Sequence, residues 1–324
     1  MTPQELDDKT SGFQAATVIL AANHAGIFRA LSRGGTSSEE LAHHLKLDRR
    51  AVATVTDALV CLGVLERTQG SLRVPRELAQ VFDPASDAYR GNALDHQWFV
   101  LQRWARLDSV LETGEPISRE RTDEIRLRAF ILGMADMARR GAAALWDAAD
   151  LTGILHLVDV GGGPGELALA AVERFPELSA TVFDLPDVLS IAREYAAGRQ
   201  VKARIGFQEG DALADDIPEC DAALVSSLLH SYGPEGVTSI ARHVAAGVKP
   251  GGLLLIREFM WDDEAHSGPL AAALFAVNML SGTAEGRCWT AQELAAIFEP
   301  AGFGRWRTTS LDARTTLLAG TRMA

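Results

Sequence analysis

Apolar side chains recur at helical spacing over the first part of the chain. From Gly12 to Ser32 they lie nearly all round the predicted helix, which indicates burial on several sides. Thr36 and Glu39 carry the signature of a capping box at the start of the next helix. Asp48 is the predicted N-cap of a further helix. The apolar residues of that helix fall on one face: Val52, Val55, Leu59 and Leu62.

Two short apolar-bearing runs follow, on either side of Gln69-Gly70, and predict a small β-hairpin. Three helices and a hairpin in this order are typical of a winged helix, which we expect over residues 1–95. Helical spacing resumes over residues 96–150, where Trp98 and Trp104 belong to a predicted buried stripe. We interpret residues 96–150 as a helical linker that contributes to a substrate pocket.

Strand-like runs alternate with helix-like segments in the last part of the chain. The first five runs end at Val160, Asp184, Glu209, Ser227 and Glu258. This alternation predicts βαβ units and a parallel sheet. Two late runs lie close together around Leu311-Asp312-Ala313 and predict an antiparallel hairpin on the sheet edge. Residues 151–324 are therefore predicted to form an α/β domain with a Rossmann-like, seven-stranded, doubly wound sheet.

Composition and charge exclude several classes of protein. Of the 324 residues, 47% are hydrophobic, and 43 acids against 31 basic residues give a net charge of −12. This balance disfavours nucleic acid and anionic membranes as partners. Residues 36–67 hold five acids and four basic residues, too few cations for a DNA-binding winged helix. No apolar run approaches a membrane span, and the polar start predicts no signal peptide. Three scattered cysteines favour a reduced, cytoplasmic protein and predict no metal site.

The sharpest chemical signal is the run VDVGGGPGE over residues 158–166. It follows a predicted strand and opens a helix, where glycines let a ligand approach the backbone. A dinucleotide fingerprint would place its third glycine at the position of Glu166, and an acid there would repel a pyrophosphate. Asp159 precedes the glycines. The loop is therefore expected to suit a ligand that carries positive charge.

Acidic residues also follow the next two predicted strands. Asp184 ends the second strand, where a carboxylate can accept hydrogen bonds from both hydroxyls of a ribose. Asp211 follows the third strand, where it can accept from an adenine amino group. Each acid alone is equally consistent with a turn or a helix cap. Together, at successive strand ends of one sheet, they predict a nucleoside site.

These motifs resemble those of a known family. The stretch from Asp159 onwards is similar to the cofactor-binding core of class I S-adenosylmethionine-dependent methyltransferases. From about Gly12 to Gly320 the chain resembles the plant-type and bacterial small-molecule O-methyltransferases, which carry an N-terminal winged-helix dimerisation domain. Further matching motifs are Gly114-Glu115-Pro116, Leu229-His230, Lys249-Pro250-Gly251-Gly252 and Ala301-Gly302-Phe303. The resemblance implies S-adenosyl-L-methionine as cofactor, a small-molecule acceptor and a homodimer formed through the first domain.

The resemblance also implies roles for single residues. The methionine and ribose end of the cofactor would be lined by Asp159, Gly161, Gly163 and Gly165. Asp184 would hold the ribose, Leu185 would lie against the adenine, and Ser226 would lie near the sulfonium. Asp211 and Ala212 would face the adenine ring. The acceptor would be contacted by Asn278, Met279 and Trp289.

His230 is the predicted general base. It follows the fourth strand, near the edge where open α/β folds bind ligands. A phenol of pKa ~10 is a poor nucleophile until a base of pKa ~6.5 takes its proton. In the family the matching histidine has this role, and Glu258 matches a glutamate that orients it. A second family glutamate is replaced by Cys288, and a thiol cannot hold an imidazolium as a carboxylate does.

The predicted function is O-methylation of a small, hydroxylated aromatic natural product. The Cys288 departure leaves two alternatives open at this point. One is methylation at nitrogen or carbon, and the other is a non-methylating enzyme that uses the cofactor-bound scaffold. A ligand-sensing winged-helix regulator is a third alternative, which the acidic charge disfavours.

Overall fold

The computed structural model describes residues 1–32, 34–117, 124–200 and 202–324, in two compact units, Met1–Gln102 and Arg103–Ala324. The unit boundary falls within the predicted linker 96–150, of which residues 118–123 lie outside the described part. No helix in the described ranges is long and apolar enough to cross a bilayer.

The first unit is mainly helical, and its described residues include a hairpin. Its helices are α1 (Pro3–Ser11), α2 (Phe13–His24), α3 (Ile27–Leu31), α4 (Ser38–Leu45), α5 (Arg49–Cys61), α6 (Ala79–Phe82) and α7 (Gly91–Trp104), the last of which continues into the second unit. Strands β1 (Glu66–Thr68) and β2 (Ser71–Arg73) pair antiparallel, which confirms the predicted hairpin. Gln69 and Gly70 between them both have positive φ, as a tight two-residue hairpin turn requires.

Three expectations for this unit are wrong in detail. The single helix predicted over 12–32 is divided into α2 and α3, because Gly26 adopts the left-handed conformation with φ 82°. Burial of α2 is also limited to Leu20 and Ala22. The capping box lies one residue later than predicted, between Ser37 and Glu40, because two adjacent hydroxyl residues can each act as cap.

The second unit contains a seven-stranded sheet within the described residues, as predicted. Its strands lie in the order β5-β4-β3-β6-β7-β9-β8, and only the pairs that involve β9 are antiparallel. The strands are β3 (His156–Val160), β4 (Ser179–Asp184), β5 (Ile205–Glu209), β6 (Cys220–Ser226), β7 (Val248–Glu258), β8 (Phe303–Ser310) and β9 (Thr316–Arg322). The carboxyl ends of the five parallel strands therefore meet at one edge.

Helices cover both faces of this sheet. In chain order the helices of the second unit are α8 (Leu107–Thr113), α9 (Glu124–Ala148), α10 (Glu166–Arg174), α11 (Pro186–Ala196), α12 (Pro234–Gly247), α13 (Leu270–Gly282) and α14 (Ala291–Phe298). One core packs α9, α10 and α11 on what we call the α9 face, and the other packs α12 and α14 on the α12 face. Successive strand residues point to opposite faces. Leu255 lies in the α9-face core and Ile256 in the α12-face core. The side chain of Arg257 therefore points to the α9 face, and that of Glu258 points to the α12 face.

Candidate active site

The glycine loop links β3 to α10 at the carboxyl edge of the sheet. Gly163 and Gly165 have φ of 57° and 74°, a region that glycine tolerates and other residues rarely adopt. A Cβ at Gly165 would lie 2.8 Å from Val182 Cγ2, whereas a Cβ at Gly163 would meet nothing within 4 Å. Gly161 donates its backbone N–H to the Phe183 carbonyl at 2.8 Å. The loop is thus fixed at both ends and open in the middle, as a ligand cradle requires.

Asp184 ties this loop to the end of β4. One carboxylate oxygen accepts the Gly163 N–H at 2.7 Å, and the other accepts the Leu185 N–H at 2.7 Å. Burial raises the pKa of Asp184, and the nearby Asp211 carboxylate adds to the rise. Both oxygens keep acceptor capacity, since each has two lone pairs and accepts one hydrogen bond from the described residues. The carboxylate is placed to receive hydroxyl donors from a ligand in the loop.

Leu185, Asp211 and Ala212 lie beside Asp184 at the ends of β4 and β5. Leu185 is 47% exposed, so its side chain is accessible to a ligand at this edge. Asp211 accepts the Leu213 N–H at 2.9 Å and donates its own N–H to the Asp215 carboxylate at 2.9 Å, so its loop is ordered. Ala212 is half-buried. Such a surface suits a flat, apolar ring of a ligand.

Asp159 is a buried carboxylate with an unmet hydrogen-bonding atom. It is 1% exposed, and its Oδ2 has no partner among the described residues. Burial first, and then the Asp184 carboxylate, raise the pKa of Asp159 to about 7. Two neighbouring carboxylates in a buried site are costly without a cation or a donor between them. The residues present therefore fit a cofactor that carries a cationic group and hydroxyls.

Glu166 does not contribute to this charge, which corrects one sequence argument. Its carboxylate is 2% exposed and is paired with Arg139 at 3.4 Å and Arg199 at 3.2 Å. Tyr195 also donates its hydroxyl to the carboxylate at 2.6 Å. With its charge compensated on both sides, Glu166 would not repel a phosphate strongly. The preference for a cation comes from Asp159 and Asp184 instead.

His230 and Glu258 form a buried pair on the α12 face. His230 Nδ1 lies 2.7 Å from Glu258 Oε2, and the His230 backbone N–H donates to Oε1 at 3.4 Å. The two side chains are 10% and 1% exposed. Nε2 has no hydrogen-bond partner in the described ranges. A carboxylate on Nδ1 fixes the tautomer that leaves the lone pair on Nε2, where a substrate proton can be accepted.

Two phenylalanines that sequence reasoning missed surround this base. The Phe275 ring meets His230 edge-on with centroids 4.7 Å apart, and it stacks on Phe259 at 4.0 Å. Arg314 places its guanidinium 5.6 Å from the Phe259 ring. A tertiary contact between α13 and the segment after β7 leaves no local pattern in the sequence. The only signal was the phenylalanine that directly follows Glu258.

The three predicted acceptor contacts differ in their surroundings. Asn278 Oδ1 accepts from Arg103 Nη2 at 2.5 Å and from Trp104 Nε1 at 3.1 Å, so its amide is fixed in orientation. Met279 is 7% exposed in α13. Trp289 is 2% exposed and donates its indole N–H to the Leu229 carbonyl at 3.2 Å. Trp289 therefore supports the segment that carries His230, and its contact with an acceptor stays a prediction.

Ser226 lies at the end of β6 on the α9 face. Its hydroxyl accepts from Arg257 Nη1 at 3.4 Å. Arg257 is 8% exposed and was missed by sequence reasoning, although a charged residue inside the apolar run before Glu258 is a signal. The carboxyl edge thus holds Asp184, Asp159, Ser226 and Arg257 on neighbouring strands.

Cys288 has a hydrogen-bond partner other than His230. The thiol donates to the Ala272 carbonyl at 3.3 Å, and it is 1% exposed. Burial raises the pKa of Cys288 to about 12, and the nearby Glu258 carboxylate adds to the rise. The thiol is therefore neutral, and Glu258 is the residue that holds the imidazole.

We expect Cys288→Ala to leave kcat within about threefold of wild type, because no carboxylate is lost from His230. The free energy of unfolding should fall by about 1–2 kcal/mol, since a buried thiol and its hydrogen bond are removed. Steady-state kinetics and urea unfolding measure the two quantities. A loss of kcat of about tenfold or more, with a shifted pH profile, would give the thiol a role at the base.

Residues 112–304 match the model of the O-methyltransferase domain family. The 3-hydroxy-5-methyl-1-naphthoate 3-O-methyltransferase of Streptomyces sahachiroi is 31% identical over 94% of this chain and 91% of that protein. The tetracenomycin polyketide synthesis 8-O-methyl transferase TcmO of Streptomyces glaucescens is 29% identical over 98% and 96%.

Human N-acetylserotonin methyltransferase, solved in complex with SAM, has a similar fold. Its TM-score is 0.88 at 23% identity, over 99% of this chain and 97% of that chain. This likeness supports the assignment of the fold over both units, each taken by itself.

Proposed function

Because the chain belongs to the S-adenosylmethionine-dependent O-methyltransferases, we propose that it methylates a hydroxyl of a small aromatic natural product with His230 as general base. The observation that carries this proposal is the buried His230–Glu258 pair, whose Nε2 lacks a partner among the described residues. It lies at the sheet edge that also carries Asp159, Ser226 and the glycine loop. A base and a cofactor cradle at one edge are what methyl transfer to oxygen requires.

Residues of the carboxyl edge would hold S-adenosyl-L-methionine. Asp184 would accept the ribose hydroxyls, and Asp159 would face the ammonium group. Leu185 would pack on the adenine, with Asp211 and Ala212 beside the ring, and Ser226 would lie near the sulfur. Gly161, Gly163 and Gly165 would allow the close backbone approach. When bound, the cofactor supplies a methyl group on a positively charged sulfur.

His230 would take the proton of the acceptor hydroxyl at Nε2. A phenol has a pKa of ~10, so most of it is protonated at neutral pH and a base is needed as the oxygen attacks. Glu258 would stabilise the imidazolium that forms and keep the ring in place. Phe259 and Phe275 would exclude water and hold a planar acceptor beside the base.

The acceptor class is supported by the aromatic side chains around His230 and by the relatives. Phe259, Phe275 and His230 present ring faces and edges, which favour an aromatic acceptor. The two Streptomyces relatives carry names that refer to a naphthoate and to tetracenomycin polyketide synthesis. Hydroxylated aromatic polyketides are therefore the compounds to test first.

The test uses methyl-labelled S-adenosylmethionine and pairs of hydroxylated aromatic compounds, each with its O-methylated counterpart as control. We expect label on oxygen only in the free hydroxyl compound, with one S-adenosylhomocysteine released for each product molecule. Label on nitrogen or carbon, or product without S-adenosylhomocysteine, would contradict the proposal. Mass spectrometry and the methoxyl NMR signal read the outcome.

We also propose that the first unit, with the winged-helix region predicted over residues 1–95, forms a homodimer in the cytoplasm. Support comes from two exposed apolar side chains: Leu6 on α1 is 51% exposed, and Phe13 on α2 is 60% exposed. Helix α2 is also strongly apolar. Single exposed apolar residues are ordinary, but a largely apolar helix with two buried positions indicates a covered surface. A second copy of the chain is the partner that the family resemblance implies. The cytoplasmic location is supported by the three cysteines, which form no disulfide.

Phe13→Asp should weaken this dimer, because it places a charge in the proposed apolar interface. Sedimentation or light scattering should show a dimer for wild type and a monomer for the variant at about 10 µM, a concentration at which many weak dimers dissociate. Leu111→Asp is the matched control, since Leu111 is 82% exposed on the second unit. A monomeric wild type, or equal dimerisation of Phe13→Asp, would reject the interface.

A further inference from the structure

Two buried polar atoms at the carboxyl edge have no partner in the described part of the chain, and they carry opposite charge. They are Asp159 Oδ2 on β3 and Arg257 Nε on β7. Strand β6 lies between β3 and β7, and Ser226 at its end accepts from Arg257 Nη1. All three side chains lie on the α9 face. An unmet acceptor and an unmet donor therefore flank one serine.

Arg257 is unusual as a buried cation. The residue is 8% exposed, and no carboxylate in the described residues lies within salt-bridge distance of its guanidinium. A Cβ added at Gly141 would lie 2.8 Å from Arg257 Nη2, so the backbone of α9 closes over the charge. Burial lowers the pKa of Arg257, and the more distant Asp312 and the adjacent Glu258 only partly oppose this. A buried charge without a partner is costly, which points to an anion that arrives with a ligand.

Strand geometry decides which ligand this is. Glu258 faces His230 on the α12 face, whereas Arg257 faces Ser226 and α9 on the opposite face. The guanidinium therefore belongs to the side of Asp159 and the glycine loop, not to the acceptor side. On that side the ligand is the cofactor, whose methionyl end carries one ammonium and one carboxylate.

We propose that Arg257 binds the α-carboxylate of the cofactor's methionyl group, while Asp159 binds its ammonium. The inference rests on the proposed function, since it assumes S-adenosylmethionine in this site. It adds a cofactor-binding residue that the family motifs in the sequence did not indicate. The zwitterion would satisfy both unmet atoms, and the carboxylate would shield the sulfonium from the fixed cation.

Calorimetric titration with two ligands tests the assignment. One is S-adenosylhomocysteine, and the other is its decarboxylated analogue, 5′-deoxy-5′-(3-aminopropylthio)adenosine, which differs only in the missing carboxylate. Wild type should bind S-adenosylhomocysteine about 10- to 100-fold more tightly, as a charge-assisted hydrogen bond predicts. Arg257→Met should bind the two ligands alike, and Arg257→Lys should keep part of the preference. Arg307→Met, an exposed arginine on β8, should keep the whole preference.

Thermal unfolding without ligand separates this role from simple packing. Arg257→Met should have a Tm equal to or above wild type, because an unpaired buried charge is removed. Its Tm should rise less than that of wild type when S-adenosylhomocysteine is added. A ligand-free Tm well below wild type, with an unchanged carboxylate preference, would make Arg257 a packing residue and overturn the proposal.

The two ligands also separate failure of the inference from failure of the proposed function. If wild type binds both with equal affinity, Arg257 is not a carboxylate receptor and the cofactor site stands. If wild type binds neither, the cofactor site and the inference are both rejected. The comparison within wild type needs no variant, so a folding defect cannot obscure it.

Discussion

Replacing His230 by alanine is expected to lower kcat by about 10²- to 10⁴-fold, the usual range for loss of a general base. Affinity for S-adenosylmethionine should stay within about twofold of wild type, because the side chain faces the acceptor side of the sheet. Steady-state kinetics with saturating cofactor and acceptor measure the first quantity, and calorimetry measures the second. The reason is the protonation of the acceptor: without a base, only its small phenolate fraction reacts.

The pH profile makes this prediction specific. The rate of His230→Ala should climb with pH towards the acceptor pKa of ~10, while wild type levels off earlier. His243→Ala is the matched control, since His243 also pairs with an acid, Asp216 at 2.7 Å, but on α12. Its kcat should not change. Equal turnover of His230→Ala and wild type at neutral pH would remove His230 from the mechanism.

Replacing Asp184 by alanine is expected to weaken cofactor binding by about 10²-fold or more. Two effects combine: the ribose hydroxyls lose a charged acceptor, and the Gly163 N–H loses its 2.7 Å anchor. Hydrogen bonds to charged groups contribute about 1.5–3 kcal/mol each, and 1.4 kcal/mol is a tenfold change in Kd. Titration with S-adenosylhomocysteine measures the change.

Asp187→Ala is the control for this change. Asp187 is an exposed carboxylate in the first turn of α11, three residues beyond Asp184. The Asp187→Ala variant should leave the Kd for S-adenosylhomocysteine unaltered. This result would separate the ribose contact of Asp184 from the general acidity of the loop. If Asp184→Ala bound the cofactor as tightly as wild type, the nucleoside would have to lie elsewhere on the sheet edge.

Much of the second unit was predictable because its signals are local. Each parallel strand is an apolar run with turn residues at its ends, and the two late runs are close enough in sequence to pair. The glycine loop and Asp184 follow their strands directly, so their position at the carboxyl edge follows from the topology. His230 and Glu258 lie 28 residues apart in sequence, and their pairing was expected only from the family resemblance.

Other features depend on tertiary contacts and could not be predicted. The compensation of Glu166 requires Arg139 on α9 and Arg199 after α11, which no sequence spacing links to the glycine loop. The stacking of Phe259 on Phe275 depends on where α13 lies. The role of Arg257 needed the direction of β7, since its neighbour Glu258 points to the opposite face.

We propose that the carboxyl edge around Asp159, Asp184 and Gly163 is the S-adenosylmethionine site. Calorimetric titration of the folded protein, freed of any copurified cofactor, tests this most directly. We expect saturable binding with one cofactor molecule per chain, in wild type and in His230→Ala alike. Absence of binding by folded wild-type protein would contradict it, and the edge would then be a methyltransferase scaffold without a working cofactor site.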